Sequence, residues 1–262
     1  MEQNMTALVS LFARAYHQKN KDIKIFDDLL STKLITEKEY EMFGLNMSQG
    51  ISFFNPTFKG SEEEALKWIV DHQLSPSVLV RSAFYYQNQM HVFEIDKKEV
   101  IEDKRQRCKD VDIENIQFLS IDLSQENWIN TLLQGDYQED QLSISSMLGL
   151  SYYLTKDEFK KMLKQLSKYL LKGSRLVFDY PSIQESKETK INEMLAKEAD
   201  ESMKAKYSFA ELKEILNQCH LTIIQHENHQ TVTEKYISNY NAYYKDDPIK
   251  APEGVCYCVV EK

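Results

Sequence analysis

From residue 91 onward, short apolar segments of strand length alternate with longer amphipathic segments of helix length. The intervening helix-like segments cover residues 97–109, 125–133 and 156–171. The strand-like segments read VFEI, IQFLSI, LSISSML and SRLVFDY, and the last two, near the C-terminus, read HLTIIQ and VCYCVV. Because parallel strands need a long crossover, usually a helix, this alternation predicts an α/β domain. We expect a Rossmann-like, mostly parallel sheet with helices on both faces.

The first third of the chain is predicted to be helical. Apolar residues recur at helical spacing between residues 6 and 17: Leu8, Leu11, Phe12 and Ala15. The sequence SEEE at 61–64 is a capping-box pattern that predicts the start of another helix. We therefore expect an N-terminal helical cap at residues 1–73 and a Rossmann-like core at residues 74–262.

Residues 182–206 form a long polar stretch of the predicted core. The segment is too polar to be buried, so two interpretations remain open. It is either a solvated helix or a helical lid over the neighbouring cleft.

Composition excludes several classes of partner. The chain has 41 acidic and 32 basic residues, for a formal charge of -9, and no local basic run, so we expect no nucleic-acid partner. No segment approaches the roughly 20 apolar residues that span a bilayer, so no membrane partner is expected. The four cysteines are scattered and no signal peptide is recognisable, which predicts a reduced, cytoplasmic protein.

Acidic residues follow two successive strands of the predicted sheet. Glu94 and Asp96 end the first strand, and Asp122 follows the second. Ligands of such sheets bind beyond the carboxyl ends of the strands, and carboxylates accept hydrogen bonds from ribose hydroxyls and from an exocyclic amine. The acids could instead cap the helices that follow them, since helix N-termini favour negative charge. Both interpretations stay open for Asp96 and Asp122.

Motifs of other chemistries are absent from the sequence. There is no G-x-S-x-G, no H-E-x-x-H, no P-loop and no paired C-x-x-C. Cys256 and Cys258 would share one face of a strand without further ligands, and the three histidines between residues 220 and 229 lack metal-ligand spacing. We predict no metal site.

A series of short motifs resembles one known family. In chain order they are FARAYH, FDD, SPSVLVR, VFEID, FLSIDL, MLGLSYYL and GSRLVFDYP. Together they resemble the leucine carboxyl methyltransferase-like branch of class I S-adenosylmethionine-dependent methyltransferases, over nearly the whole chain. The resemblance implies a seven-stranded Rossmann-like sheet, S-adenosylmethionine as cofactor, and methyl transfer to an oxygen, often of a carboxylate.

The resemblance also implies roles for individual residues. Arg81 in VLVR would pair with the methionine carboxylate of the cofactor, and Asp96 in FEID would hold its ribose. Asp122 and Leu123 in IDL would border the adenine. These roles suit the side chains, because a guanidinium binds a carboxylate in a bidentate manner and carboxylates accept from diols. Tyr152 and Tyr153 follow a strand end where a substrate would lie, and we expect them in the substrate pocket.

The sequence departs from the family in two places. No glycine occurs between Gly60 and Gly135, and only residues 82–92 separate the VLVR and FEID motifs. Relatives have a helix, a central first strand and a glycine-containing turn there, so we expect the central strand and the Gly-rich cofactor loop to be missing. Leu148 stands where many relatives have a glutamate, and a leucine cannot accept a hydrogen bond.

Two functions follow from these observations. The first is an S-adenosylmethionine-dependent O-methyltransferase that acts on a small-molecule substrate, with a carboxylate as a possible acceptor. A carboxylate needs no general base at neutral pH, so we name no catalytic residue. The alternative is a degenerate, inactive relative that acts as a binding or interaction protein, or an internally deleted form without function. The sequence does not determine the oligomeric state.

Overall fold

The computed structural model describes residues 5–84, 92–111, 116–123, 128–184, 186, 189–191, 193–194 and 203–262. The chain divides into two compact units. The first contains Met1–Tyr86, Gln106–Asp112 and Gln230–Pro252, and the second contains Gln87–Arg105, Ile113–His229 and Glu253–Lys262. The first unit thus includes residues 1–73 and also two later segments. The predicted division at residue 73 stays a prediction.

The described helices and strands follow one another in the order that the sequence predicts. The α-helices are α1 Met5–Asn20, α2 Ser31–Leu34, α3 Glu37–Gln49, α4 Ile51–Phe54, α5 Glu62–Ile69, α6 Ser75–Phe84, α7 Lys98–Cys108, α8 Trp128–Gln134, α9 Lys156–Tyr169, α10 Phe209–Gln218, α11 His229–Val232 and α12 Ser238–Tyr243. π-Helical turns lie at Val70–Leu74 and Thr233–Ile237, and a 3₁₀ turn lies at Ser151–Tyr153. The strands are β1 Val92–Asp96, β2 Ile116–Ser120, β3 Ile144–Met147, β4 Arg175–Pro181, β5 Thr222–Glu227 and β6 Val255–Glu261.

The first unit is helical in its described part. Helices α1 and α3 bury Phe12, Tyr16 and Phe43 in one apolar cluster. Helix α5 begins at the capping box predicted from the sequence, in which the Ser61 hydroxyl accepts from the backbone N–H of Glu64 and the Glu64 carboxylate accepts from that of Ser61. Such a cap satisfies two N–H groups that a helix start would otherwise leave unpaired. The prediction of an N-terminal helical region is confirmed.

The described strands of the second unit form two sheets. Strands β1 and β2 pair in parallel, with α7 as their crossover. The other sheet has the order β3-β4-β6-β5, in which β3 and β4 are parallel and β6 runs antiparallel to both of its neighbours. The predicted α/β fold is confirmed, but one mostly parallel sheet is replaced by a parallel pair and a mixed sheet. Hydrophobic patterning identified β6 as a strand without specifying its direction, because both directions bury the same residues.

The faces of both sheets share one apolar core. Phe93, Ile95 and Leu119 pack against the cluster that contains Phe159 and Phe178. Along β1, Phe93 and Ile95 alternate with Glu94 and Asp96, which therefore project from the opposite face. Full burial of a phenylalanine side chain contributes roughly 1.5–3 kcal/mol, so this cluster is a main source of stability for the unit.

The sequence interval in which the central strand is expected to be missing falls largely on residues 85–91. These residues lie outside the described part of the chain. The loss of the central strand and of the Gly-rich loop therefore stays a prediction. Within the described residues, none of the helices combines the length and the apolar character that a membrane span needs.

Candidate functional site

The acids predicted to bind a ligand lie at one edge of the β1–β2 sheet. Asp96 is the last residue of β1 and is aligned with Ser120 at the end of β2. The backbone N–H of Ile121 donates to the carbonyl of Asp96 over 2.8 Å, which extends the pairing by one residue. Asp122 follows immediately and is exposed. The fold thus brings the predicted ribose and adenine positions together at the carboxyl end of the two strands.

Leu123, the second residue predicted to border the adenine, is half-buried. It packs against the apolar core of the second unit. A side chain in this position can offer an apolar surface at the sheet edge and still contribute to the core.

The Asp96 carboxylate already accepts contacts within the protein. Its Oδ1 atom accepts from the backbone N–H of Lys97 at 2.9 Å. Its Oδ2 atom lies 3.4 Å from the ammonium nitrogen of Lys104 on α7. The bond to Lys97, just before α7, agrees with the helix-capping interpretation for one of the two oxygens. Among the contacts of the described residues, the other lone pairs of the carboxylate have no partner and could accept from a ligand.

Lys104 is a residue of this edge that sequence reasoning missed. Its ammonium group contacts the carboxylates of both Glu94 and Asp96. Burial alone would lower the pKa of Lys104, but the two carboxylates outweigh burial and raise its pKa above the ordinary value, so the group stays charged. Only the amphipathic position of Lys104 on the helix after β1 hinted at this contact.

A second group of polar contacts lies at the carboxyl ends of β3 and β4. The Asp179 carboxylate is fully buried and accepts from the backbone N–H of Gly149 at 2.6 Å and from the Tyr152 hydroxyl at 3.2 Å. The Ser151 hydroxyl donates to the Asp179 carbonyl over 2.7 Å. Gly149 has φ +76°, a conformation that favours glycine. Asp179 therefore fixes the turn after β3, a role that the sequence did not reveal.

The two tyrosines predicted for the substrate pocket differ in exposure. Tyr152 is buried and its hydroxyl is bonded to Asp179, whereas Tyr153 is half-buried. Tyr153 is thus the side chain of the pair that a ligand could reach more easily. The placement of both in a substrate pocket stays a prediction.

Arg81, predicted to bind the methionine carboxylate, lies on α6 in the first unit. It is half-buried and follows two fully buried residues, Leu79 and Val80. Its assignment to the cofactor stays a prediction.

Comparisons with known proteins agree with the family suggested by the motifs. Residues 85–167 match the leucine carboxyl methyltransferase family. The chain is 27% identical to the Bacillus subtilis (strain 168) protein named "Putative S-adenosyl-L-methionine-dependent methyltransferase YktD", over 98% of this chain and 97% of that protein. Their alignment extends over 300 positions, more than the 262 residues of this chain, so this chain lacks residues that the relative has.

A solved structure shows that the fold extends over the whole chain. The crystal structure of a DUF574 family protein from Streptomyces avermitilis superposes with a TM-score of 0.52, covers 97% of each chain and shares 10% sequence identity. At this identity the match supports the fold alone. Through the family match and the nearly full-length similarity to the Bacillus protein, the sequence of this chain is similar to leucine carboxyl methyltransferase-like S-adenosylmethionine-dependent methyltransferases.

Proposed function

We propose that the protein transfers the methyl group of S-adenosylmethionine to an oxygen of a small molecule, most simply a carboxylate. The observation that carries this proposal is the edge of the β1–β2 sheet, where strand pairing brings Asp96 and Asp122 together. Both residues lie within the segment that matches the leucine carboxyl methyltransferase family.

The residues present fit an adenosyl group in part. The Asp96 carboxylate has the acceptors for two ribose hydroxyls, and the exposed Asp122 beside the apolar Leu123 suits an adenine with its amino group. Leu148 supplies no polar contact, so the binding energy would come from the other groups.

Methyl transfer asks little covalent chemistry of the protein. The cofactor, when bound, supplies an electrophilic methyl group. The residues of this chain would hold the acceptor in line and exclude water. A carboxylate acceptor is already ionised at neutral pH and needs no general base. This agrees with the sequence motifs, which identify no general base.

The polar segment 182–206 would serve as a lid over this site. Its described ends are tied together, because the backbone N–H of Tyr207 donates to Pro181 over 2.9 Å and that of Ile183 donates to Tyr207 over 3.1 Å. The returning limb also contacts the predicted pocket, where the N–H of Lys204 donates to the carbonyl of Tyr152 over 2.8 Å. These contacts favour the lid over a solvated helix with no contact to the site. Residues 185, 187–188, 192 and 195–202 lie outside the described part.

A methyl-transfer assay tests the proposed function. The protein would be incubated with S-adenosylmethionine carrying a radiolabelled methyl group and with pools of small carboxylic acids, alcohols or phenols. Methyl esters release volatile methanol in mild base, whereas ethers do not, so base treatment identifies the acceptor oxygen. We expect base-labile label from the carboxylic acid pool, reduced at least tenfold in Asp96→Asn.

Two results would contradict this proposal. Label that survives base would rule out a carboxylate acceptor. Binding of the cofactor without transfer to any pool would instead favour an inactive relative that acts as a binding protein.

A further inference from the structure

Glu94, Asp96 and Lys104 form a small charged cluster on one face of β1, at the edge proposed to bind ribose. The two acids are separated by one residue and so project on the same side of the strand, and α7 places the ammonium group of Lys104 against both carboxylates. The side chains of the three residues are 33–39% exposed, so a ligand and water can both reach the cluster.

The two contacts of Lys104 are unequal. The contact with Glu94 is a close hydrogen bond, whereas the Oδ2 atom of Asp96 lies 3.4 Å from the ammonium nitrogen. A hydrogen bond at 3.4 Å is longer than the usual range for nitrogen and oxygen atoms. Lys104 is therefore held mainly by Glu94, and its hold on Asp96 is the weaker of the two.

The weaker contact of Lys104 with Asp96 affects how a ribose diol could bind the Asp96 carboxylate. Two ribose hydroxyls would donate to the Asp96 carboxylate. The Oδ2 atom of this carboxylate already contacts the ammonium group of Lys104, so one hydroxyl would compete with Lys104. Because Asp96 Oδ1 also accepts from Lys97, the oxygen facing Lys104 is the one whose internal partner can be most easily displaced. Displacement leaves Lys104 paired with Glu94, so the cation need not become unpaired.

We propose that Lys104 competes with the ribose for Asp96 and that Glu94 is the counter-ion that holds Lys104 back. The Glu94–Lys104 pair would thus set the affinity of the cofactor site. It would also set the preference of the site between S-adenosylmethionine, which has a positive sulfonium, and S-adenosylhomocysteine, which does not. This inference rests on the proposed function, because it assumes that Asp96 receives the ribose.

Charge gives the inference a second consequence. The two carboxylates and the ammonium sum to one negative charge, and replacing Lys104 by a neutral residue would leave two. S-adenosylmethionine carries a sulfonium charge that S-adenosylhomocysteine lacks. A more negative edge would therefore favour the methyl donor over the demethylated product, with a preference that weakens at high salt.

Calorimetric titration of the full chain with S-adenosylmethionine and with S-adenosylhomocysteine tests these consequences. Lys104→Met keeps most of the length of the side chain and removes the charge. We expect it to bind both ligands about two- to fivefold more tightly, as suits a partly exposed ion contact, with the larger gain for S-adenosylmethionine. Glu94→Gln frees Lys104 to move onto Asp96, and we expect it to weaken binding by a similar factor.

Lys98→Met is the matched control, because Lys98 lies on the same helix, is 73% exposed and contacts only the side chain of Glu102, at 3.8 Å, among the described ion pairs. It should bind both ligands like the wild type. Thermal unfolding of each variant separates lost stability from altered binding.

Unchanged or weaker binding by Lys104→Met, in a variant that unfolds at the same temperature as the wild type, would overturn the competition and would mean that Lys104 orients Asp96 for the ligand. Absence of binding by the wild type itself would overturn the proposed function, and this inference with it.

Discussion

At the scale of single residues, the polar groups of this chain depend on contacts between distant positions. Asp179 binds Gly149 and Tyr152, roughly 30 positions earlier, and Lys104 binds the end of the preceding strand. A buried carboxylate without such partners would be strongly destabilising. These contacts therefore fix the turn and the strand end that form the candidate site.

His17 gives a prediction about pH. It is buried in the first unit, where its Nε2 atom accepts from the backbone N–H of Ile25 at 3.0 Å and its ring stacks on Tyr240. Burial, and then the charges of Lys21 and Lys24, lower the pKa of His17 to about 4. Since the unfolded chain binds this proton near its ordinary pKa of about 6.5, folding becomes less favourable as the pH falls from about 6.5 to about 4.

We expect His17 to account for about 2–3 kcal/mol of the stability lost between about pH 7 and about pH 4.5. Urea unfolding of the wild type and His17→Gln at several pH values measures this contribution. The variant should be less stable than the wild type at neutral pH and lose less stability on acidification. Parallel pH profiles for the two proteins would show that His17 is protonated in the folded state as easily as in the unfolded state.

At the scale of helices, strands and loops, one glycine connects the proposed lid to the sheet. Gly254 immediately precedes β6, and its carbonyl accepts from the backbone N–H of Ser182 at 2.7 Å. Gly254 has φ +75°, and a Cβ atom there would lie 2.2 Å from the Cγ2 atom of Thr189 in the lid segment. Both the backbone conformation and the space thus require glycine.

Gly254→Ala should destabilise the protein by about 2 kcal/mol or more, because left-handed backbone costs an alanine roughly 1–2 kcal/mol and the contact with Thr189 adds to it. Thr189→Ser removes the Cγ2 methyl group and keeps the hydroxyl that bonds Ser186. We expect the double variant to recover the part of the loss that comes from the contact.

Chemical unfolding of the two single variants and the double variant measures this coupling. If Thr189→Ser recovers no stability in the Gly254→Ala background, the lid segment does not pack on Gly254 in solution.

The sequence predicts single helices and strands well, because their signals are local. The capping box at Ser61 marks the start of α5, and the apolar segments at 92–95 and 116–121 become β1 and β2. The sequence does not predict features that depend on contacts between residues distant in the chain. The antiparallel direction of β6 and the contacts of Lys104 depend on tertiary packing, which no local pattern encodes.

For the candidate site too, the sequence predicts the residues at the strand ends but not their contacts with distant residues. Strand ends and acids identify Asp96 and Asp122, and the α/β pattern places them at one edge. The sequence does not show that Lys104 would contact Asp96 or that Tyr152 would be bonded to Asp179. Such pairs form only when α7 lies beside β1 and the 3₁₀ turn at Ser151–Tyr153 lies beside β4, so they become visible only in the structure.

At the scale of the whole molecule, the second unit places Asp96 and Asp122 at the carboxyl ends of β1 and β2 although its described strands are divided into two sheets. The apolar core beneath β1 and β2 is continuous with the core of the four-stranded sheet, which supports both. The alignment with the Bacillus relative extends over 300 positions, more than the 262 residues of this chain, as expected if an internal element is missing. The central claim is that the edge at Asp96 still binds an adenosyl group.

Titration calorimetry with S-adenosylhomocysteine tests that claim most directly, since binding requires no acceptor and no turnover. We predict a dissociation constant in the micromolar range for the wild type and for Glu139→Ala, a matched variant at an exposed acid away from the strand ends. Asp96→Ala should weaken binding at least tenfold, because the ribose loses both acceptor oxygens. The absence of heat with millimolar ligand, or equal binding by Asp96→Ala and the wild type, would contradict the account.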